Sequence, residues 1–268
     1  MPRILMFDSG VGGLSILQEI QHKLPVVQVR YLMDNQLFPY GIQPDEVLVE
    51  RIVNLCRAHS EGCNLIVMAC NTASTIVLPA LREALDIPVV GVVPAIKTAA
   101  QHSQSNCIGL LATPATVDRF YIDRLIADHA KDTEVIRLGS SELVRLAEDS
   151  FLNGQTDMEQ LGQILAPLKA HKTMDQLVLG CTHFPLLRDQ IAQLLPNVTL
   201  TDSGEAIARR SEYLLHQQGF GDLTTICEKP HQLLATAPHP EASKLHSACQ
   251  KLADFDPLEI VDYQQALA

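Results

Sequence analysis

Eight short apolar runs, each closed by polar residues, constrain this chain more than any other feature. They are Ile4 to Phe7, Val29 to Met33, Leu65 to Ala69, Val89 to Val93, Ile108 to Ala112, Val135 to Leu138, Leu177 to Gly180 and Val198 to Thr201. Runs this short and this rich in β-branched residues read as strands buried on both faces, the signature of parallel sheets. Between them, Gly13 to Leu24, Pro44 to Ser60, Thr72 to Leu85, Thr116 to His129 and Phe184 to Leu195 carry apolar residues at amphipathic-helix spacing. Strand and helix in alternation predict an α/β fold with mainly parallel sheets, and 268 residues are enough for two units.

Open parallel sheets bind ligands beyond the carboxyl ends of their strands, so the residues just after each run are where chemistry is expected. Here those ends read Asp8-Ser9-Gly10, Asp34-Asn35, Cys70-Asn71-Thr72, Thr113 and Cys181-Thr182-His183, with Asp202-Ser203-Gly204 echoing the first. Two of them match each other. Leu65-Ile-Val-Met-Ala-Cys-Asn-Thr72 and Leu177-Val-Leu-Gly-Cys-Thr-His183 each place a small residue before a cysteine and polar residues after it. This suggests an internal duplication: two similar α/β lobes facing a shared cleft, one cysteine on each side. The segment after Gln218 departs from the pattern and is expected to pack back on the first lobe.

Composition excludes several partners. With 20 Lys and Arg against 31 Asp and Glu, the net charge of -11 argues against an extended nucleic-acid surface or an anionic membrane. The most apolar later stretch, Pro88 to Ile96, falls far short of the roughly 18 residues of a membrane span. Asp8 ends the first run before it could form a signal-peptide core, which predicts a cytoplasmic protein. Seven cysteines without close pairing read as reduced thiols.

Each polar strand end has a bland reading beside the chemical one. Cys56, Cys63, Cys107, Cys227 and Cys249 read as small buried hydrophobes. Cys70 and Cys181 are each followed by an expected helix start, where the positive end of the helix dipole favours thiolate. Cys181-x-His183 with Cys70 is a conceivable metal set, but the paired spacing of structural zinc is absent, and no metal is expected. Asp8 can cap a helix, or Asp8 to Gly13 can form a phosphate-binding turn. Glycines at 10, 12 and 13 do not make the dinucleotide fingerprint, and no Walker-type lysine follows.

Taken together, Phe7-Asp-Ser-Gly-Val-Gly-Gly-Leu14, Phe38-Pro-Tyr-Gly41, Ala69-Cys-Asn-Thr-Ala-Ser74 and Leu179-Gly-Cys-Thr-His-Phe-Pro185 resemble the motifs of the aspartate/glutamate racemase family, in its order, and those of its glutamate racemases in particular. The likeness runs through Val92 to Ile96 and Asp202 to Ile207, as far as about Leu215. It implies two pseudo-symmetric lobes with the active site in the cleft between them. The first lobe would take residues 1–95 and 210–268, and the second 96–209. It also implies an isomerase that needs no cofactor, interconverts L- and D-glutamate and supplies D-glutamate for peptidoglycan synthesis, and hence for cell wall biogenesis and cell shape.

By the same resemblance Cys70 takes the α-proton of D-glutamate and Cys181 that of L-glutamate. Asp8 assists the first and His183 the second, with Asp34 and Glu148 as further acidic positions. Glu148 lies in Leu143 to Glu148, which reads equally as an ordinary amphipathic helix with a solvent-facing carboxylate. Ser9, the Tyr40-Gly41 backbone, Asn71, Thr72, Thr182 and His183 are implied substrate contacts, with Asp8, Thr113 and Thr116 beside them. Two thiols suit the reaction, because a proton must leave one face of a planar carbanion and another arrive at the opposite face. Pyridoxal phosphate is the usual alternative, but Lys97 lies within an expected helix and matches no cofactor position. An aspartate racemase and a silent amino-acid-binding protein remain as other readings. A wall precursor such as UDP-N-acetylmuramoyl-L-alanine is a possible regulator, though the chain starts almost at its first strand and shows no extension to help bind one. A monomer or homodimer is expected.

Overall fold

Strands form at all eight apolar runs, but burial is not uniform: Ile4, Leu5, Met6 and Phe7 are each fully buried, as are Leu65 to Met68, whereas Glu134–Gly139 and Thr199–Thr201, at the two edges of their sheet, hold no buried residue. The fully buried strands lie inside parallel sheets covered on both faces. The computed structural model describes residues 1–267. In chain order the elements begin with β1 (Arg3–Asp8), α1 (Leu14–Lys23), β2 (Gln28–Met33), α2 (Asp45–His59), β3 (Leu65–Met68), α3 (Asn71–Ala84) and β4 (Val89–Gly91). There follow α4 (Ile96–His102), β5 (Cys107–Ala112), α5 (Pro114–Val117), α6 (Phe120–His129), β6 (Glu134–Gly139), α7 (Ser141–Asn153), α8 (Met158–Ala170), β7 (Gln176–Leu179), α9 (Arg188–Leu194) and β8 (Thr199–Thr201). The chain ends with α10 (Gly204–Gln217), β9 (Gln232–Ala235), α11 (Ala242–Gln250), β10 (Glu259–Ile260) and a 3₁₀ turn at Tyr263–Leu267. It divides into two units, Met1–Val92 with the chain from Gly204 onward, and Val93–Ser203.

Each unit holds one parallel sheet. The first has the order β10-β9-β2-β1-β3-β4 and the second β6-β5-β7-β8. Four adjacent strands of the first, β2-β1-β3-β4, repeat the order of the second, so β1 corresponds to β5, β2 to β6 and β3 to β7. Hydrogen bonds at the strand ends sharpen the match. Asp34 N donates to Asp8 O at 2.9 Å and Ser140 N to Ala112 O at 3.0 Å, while Ala69 N donates to Phe7 O at 2.8 Å and Gly180 N to Leu111 O at 2.7 Å. Cys70 and Cys181 therefore occupy the same topological position, one residue past a small residue pinned to the neighbouring strand. That position adjoins the point where strand order reverses, β1 against β3 and β5 against β7, which is where open α/β sheets bind ligands.

The small residues have a steric cause. A side chain at Gly180 would meet Leu110 Cδ1 at 3.0 Å and the Leu111 carbonyl at 3.1 Å. At Gly13 a Cβ would lie 2.8 Å from Tyr31 Oη, 3.0 Å from Ala69 Cβ and 3.1 Å from Asp8 Cβ. Tyr31 cannot simply swing away, because its hydroxyl donates to Gly10 O at 2.8 Å and its ring is fully buried. Gly13→Ala should therefore destabilise the first unit by about 1–3 kcal/mol, the usual cost of overpacking. Urea denaturation checks this, and a midpoint equal to that of the parent would refute it.

Two expected helices are broken. The segment 116–129 is two helices: Thr113 caps α5 by accepting from Thr116 N, Pro114 starts it, and extended Arg119 separates it from α6. Phe184 to Leu195 opens as a 3₁₀ turn, Phe184–Leu187, before α9. Pro185 lies in that turn, and Leu187, at φ -106° and ψ 16°, interrupts the α-geometry. The segment after Gln218 contributes β9 and β10, which extend the first sheet beyond β2.

Candidate active site

In the first unit, β1 ends in Asp8, which is fully buried. Its Oδ1 accepts from Gly10 N at 2.8 Å and lies 3.4 Å from Ser9 Oγ, so the carboxylate shapes the turn before α1. It does not cap the helix, whose N-cap is Gly13. Cys70 is the N-cap of α3, a 14-residue helix, and is 6% exposed. The positive end of that helix favours negative charge at this position. Beside it Asn71 and Thr72 are buried, and Asn71 Oδ1 has no hydrogen-bond partner. A buried polar atom left so is costly unless a ligand satisfies it. Ser74 ties the helix to the sheet by donating to Met68 O at 3.1 Å and accepting from Val92 N at 3.1 Å.

Asp34, also fully buried, does not stand alone after β2. Arg51 Nε and Nη2 donate to its two oxygens at 2.6 and 2.7 Å, Tyr40 Oη donates to Oδ2 at 2.6 Å, and Thr236 Oγ1 donates to Oδ1 at 2.6 Å. Burial first, then the charge and hydrogen bond of Asp34, hold the Tyr40 phenol well above its ordinary pKa, so it is a firm donor. Tyr40 heads the short 3₁₀ turn Tyr40–Ile42 that carries Gly41. Arg51, Thr236 and Gln36, which also accepts from Arg51 at 2.8 Å, were not among the expected site residues. One signal was available for Arg51: it sits on the apolar stripe Leu48, Arg51, Ile52, Leu55, Cys56 of α2, where a charge needs a buried partner.

In the second unit Cys181, Thr182 and His183 follow β7 and are 6%, 3% and 2% exposed. Cys181 differs from Cys70 in its setting, because the residues after it form a turn and the 3₁₀ segment rather than an α-helix. The expected helix dipole at Thr182 is therefore replaced by a side chain. His183 Nδ1 lies 3.7 Å from Cys181 Sγ, and His183 Nε2 lies 2.7 Å from Glu148 Oε1. Glu148 is thus not a solvent-facing carboxylate; its side chain is 15% exposed and α7 aims it at the imidazole. Thr113 donates to Thr116 Oγ1 at 2.9 Å at the start of α5, and both are buried.

Carboxylate, imidazole and thiol thus stand in series, an arrangement chemically able to pass a proton to or from sulfur. Burial works against protonation of His183, but the hydrogen bond to Cys181 and then that to Glu148 outweigh it and raise its pKa well above 6.5. Stabilisation from the protonated ring is therefore complete below about pH 6.5 and is lost as pH rises through the raised value. Glu148→Gln removes one of the two supports, so His183 should titrate at lower pH, and the variant should lack part of this stabilisation throughout the range in which the wild-type ring is protonated. Titration of the His183 ring by NMR checks this, and an unmoved midpoint would show that Glu148 is not coupled to it.

The remaining thiols divide. Cys56, Cys63, Cys107 and Cys249 are buried, and burial raises the pKa of the first three. Cys227 departs from its expected burial: it is half-exposed, with Sγ 3.4 Å from Met1 Sδ and from Lys229 O. Lys97 lies on the exposed side of α4. Among the described residues no group of three or more His, Cys, Asp or Glu is placed to hold a metal ion, and no helix is long and apolar enough to cross a membrane.

Known proteins are similar to this chain in sequence and fold. The model of the Asp/Glu/Hydantoin racemase family matches residues 13–210. A glutamate racemase from Shewanella sp. (strain ANA-3) is 54% identical over 264 residues, 96% of this chain and 95% of that one. The crystal structure of Escherichia coli glutamate racemase in complex with L-glutamate and the activator UDP-MurNAc-ala is 44% identical, covers 97% of this chain and 98% of its own, and superposes with a TM-score of 0.90. That of the Francisella tularensis glutamate racemase with D-glutamate is 25% identical, covers 98% of each chain and has a TM-score of 0.78.

Proposed function

Because the chain belongs to the Asp/Glu/Hydantoin racemase family, among its glutamate racemases, we propose that it interconverts L- and D-glutamate by two-base proton transfer through Cys70 and Cys181, without an added cofactor. The observation that carries this reading is the equivalence of the two thiols, each at the switch point of a like-ordered parallel sheet. Inversion at carbon needs one acid/base group for each face, and a duplicated fold provides one from each half. Both thiols must then act on a single α-carbon.

In this mechanism the thiolate of one cysteine removes the α-proton and the thiol of the other protonates the opposite face, the roles exchanging with substrate handedness. His183, held by Glu148, shares a proton with Cys181 and steadies its charge as it changes. Asp8 takes the corresponding place for Cys70, through the turn it holds at Ser9 and Gly10. Asn71, with its unsatisfied Oδ1, and Thr72, Thr182, Ser9, Thr113, Thr116 and the Tyr40-Gly41 backbone receive the ammonium and carboxylates. Buried neutral donors and the α3 N-terminus can accept an anion without a cationic cluster.

The biological role that fits is supply of D-glutamate for peptidoglycan in the cytoplasm. UDP-MurNAc-ala, the activator in the Escherichia coli structure, is the regulator to add. Purified protein, dialysed against chelator and given L-glutamate alone, should drive the optical rotation to zero, and aspartate should be turned over far more slowly. Activity that appears only with added metal or pyridoxal phosphate would overturn the mechanism. Glutamate binding with no α-proton exchange would instead favour a silent binding protein.

A further inference from the structure

The geometry points to Arg51, Thr236 and Tyr263 as positioning residues for the substrate-binding turn at Tyr40 and Gly41, so that the C-terminal segment braces the active site; this rests on the racemase reading above. Three observations converge on it. Asp34 spends its carboxylate on holding its neighbours: its oxygens are engaged by Arg51 at 2.6 and 2.7 Å, by Tyr40 at 2.6 Å and by Thr236 at 2.6 Å. A carboxylate clamped by a bidentate guanidinium and two hydroxyls is a poor proton carrier and a strong anchor. What it anchors is the Tyr40 hydroxyl, and with it the 3₁₀ turn bearing Gly41.

The clamp is itself held from the C-terminal segment. Thr236 immediately follows β9, and its backbone N donates to Met33 O at 3.1 Å, beside Asp34. Ala237 N donates to Asn35 Oδ1 at 2.9 Å, and Asn35 Nδ2 to Ala237 O at 2.8 Å, so Thr236 is flanked by Ala235, paired with Met33 at the end of β2, and by Ala237, stitched to Asn35 just after it. From the last turn of the chain, the Tyr263 ring lies 4.2 Å from the Arg51 guanidinium carbon, a stacked cation–π contact that fixes the plane of the fork. Arg51 is 8% exposed in its side chain, so ring and carboxylate together account for its burial. These residues lie beyond position 210, where the family match ends, apart from Arg51 itself. The brace is thus built by a part of the chain that carries none of the reacting groups.

Positioning residues for a substrate turn should be read in binding and in local motion rather than in the proton-transfer groups. Thr236→Val keeps the volume and removes one hydroxyl; Tyr263→Leu removes the stacked ring. Each should raise KM for both glutamate enantiomers about 3- to 10-fold with kcat within about twofold, and leave the pH profile of kcat unmoved. Amide hydrogen exchange at residues 37–43 should quicken about tenfold while β1 and β5 stay protected. Arg51→Lys keeps the charge without the fork and should resemble Thr236→Val, whereas Arg51→Met leaves the buried Asp34 without its counter-ion and should express poorly. Unchanged KM and unchanged exchange in Thr236→Val would overturn the inference, as would a displaced limb of the pH profile, which would make Asp34 an acid/base group. If the wild type failed to racemise glutamate the proposed function would fall, and the exchange measurement on Thr236→Val would still decide whether the brace exists.

Discussion

Cys70→Ala and Cys181→Ala should each lower kcat/KM for racemisation by about 10³-fold or more, the scale on which a positioned acid or base acts. The loss must be the same from either enantiomer. L- and D-glutamate have equal free energy in water, so kcat/KM in the two directions is bound to be equal for any variant, however lopsided the damage. The difference between the two thiols therefore has to be sought elsewhere. With Cys70 gone, Cys181 should still exchange the α-proton of L-glutamate with solvent while failing to complete inversion, and the reverse should hold for Cys181→Ala and D-glutamate. Cys56→Ala and Cys249→Ala, both altering buried thiols packed in the hydrophobic interior, should change kcat/KM by less than about threefold while costing some stability. Steady-state polarimetry and NMR exchange on the four variants measure all of this. A folded Cys249→Ala protein without activity would show that the thiols had been assigned wrongly.

The strands were legible because parallel sheets bury both faces and so leave unbroken apolar runs, as at Ile4 to Phe7 and Leu65 to Met68. The matching cysteines were legible for a related reason: a small residue is needed where the strand end is crowded by its neighbour, at Gly180 by Leu110 and Leu111. Helix continuity was not. Periodicity carries through Arg119 and Leu187 because it reports which face is apolar, and says nothing of a residue whose ψ leaves the helical range. β9 escaped notice because Gln232 to Ala235 holds no β-branched residue to mark it as a strand, and β10 because two residues are too few for a pattern to show.

The candidate site divides along the same line. Residues at strand ends were found by their position, but what each one touches depends on contacts distant in sequence. Asp34 reads from the chain as an acidic strand end like Asp8. Its partner Thr236 lies 202 residues away and nothing local marks it. Arg51 was detectable as a charge on an apolar stripe, yet only the fold identifies Asp34 as its counter-ion. Glu148 and His183 are likewise 35 residues apart, and only the fold shows that α7 turns the carboxylate to the imidazole and not to solvent.

In deuterated water, D-glutamate formed from L-glutamate in the first few per cent of reaction should be almost fully deuterated at the α-carbon. Before L-glutamate reacts, Cys181 is the thiolate and carries no proton, while the Cys70 thiol has exchanged its single proton with solvent. Cys181 then takes a protium from L-glutamate, and Cys70 delivers the deuteron it already carries to the opposite face. Cys181 is 6% exposed and is hydrogen-bonded to His183, so the captured protium returns to the carbanion more often than it leaves. The remaining L-glutamate should accordingly stay largely protonated at early times, with exchange into it lagging exchange into product. Starting from D-glutamate the pattern should mirror this, with Cys70 holding the protium. Glu148→Gln adds a directional test: weakening the hold on the His183 proton should speed washout from the Cys181 side alone, raising deuterium in recovered L-glutamate while that in recovered D-glutamate stays as before. Proton NMR of the α-position on samples quenched early reads every one of these quantities. If early product kept a substantial share of substrate protium, a single base would be carrying the proton from face to face, and the duplicated strand ends would need another explanation.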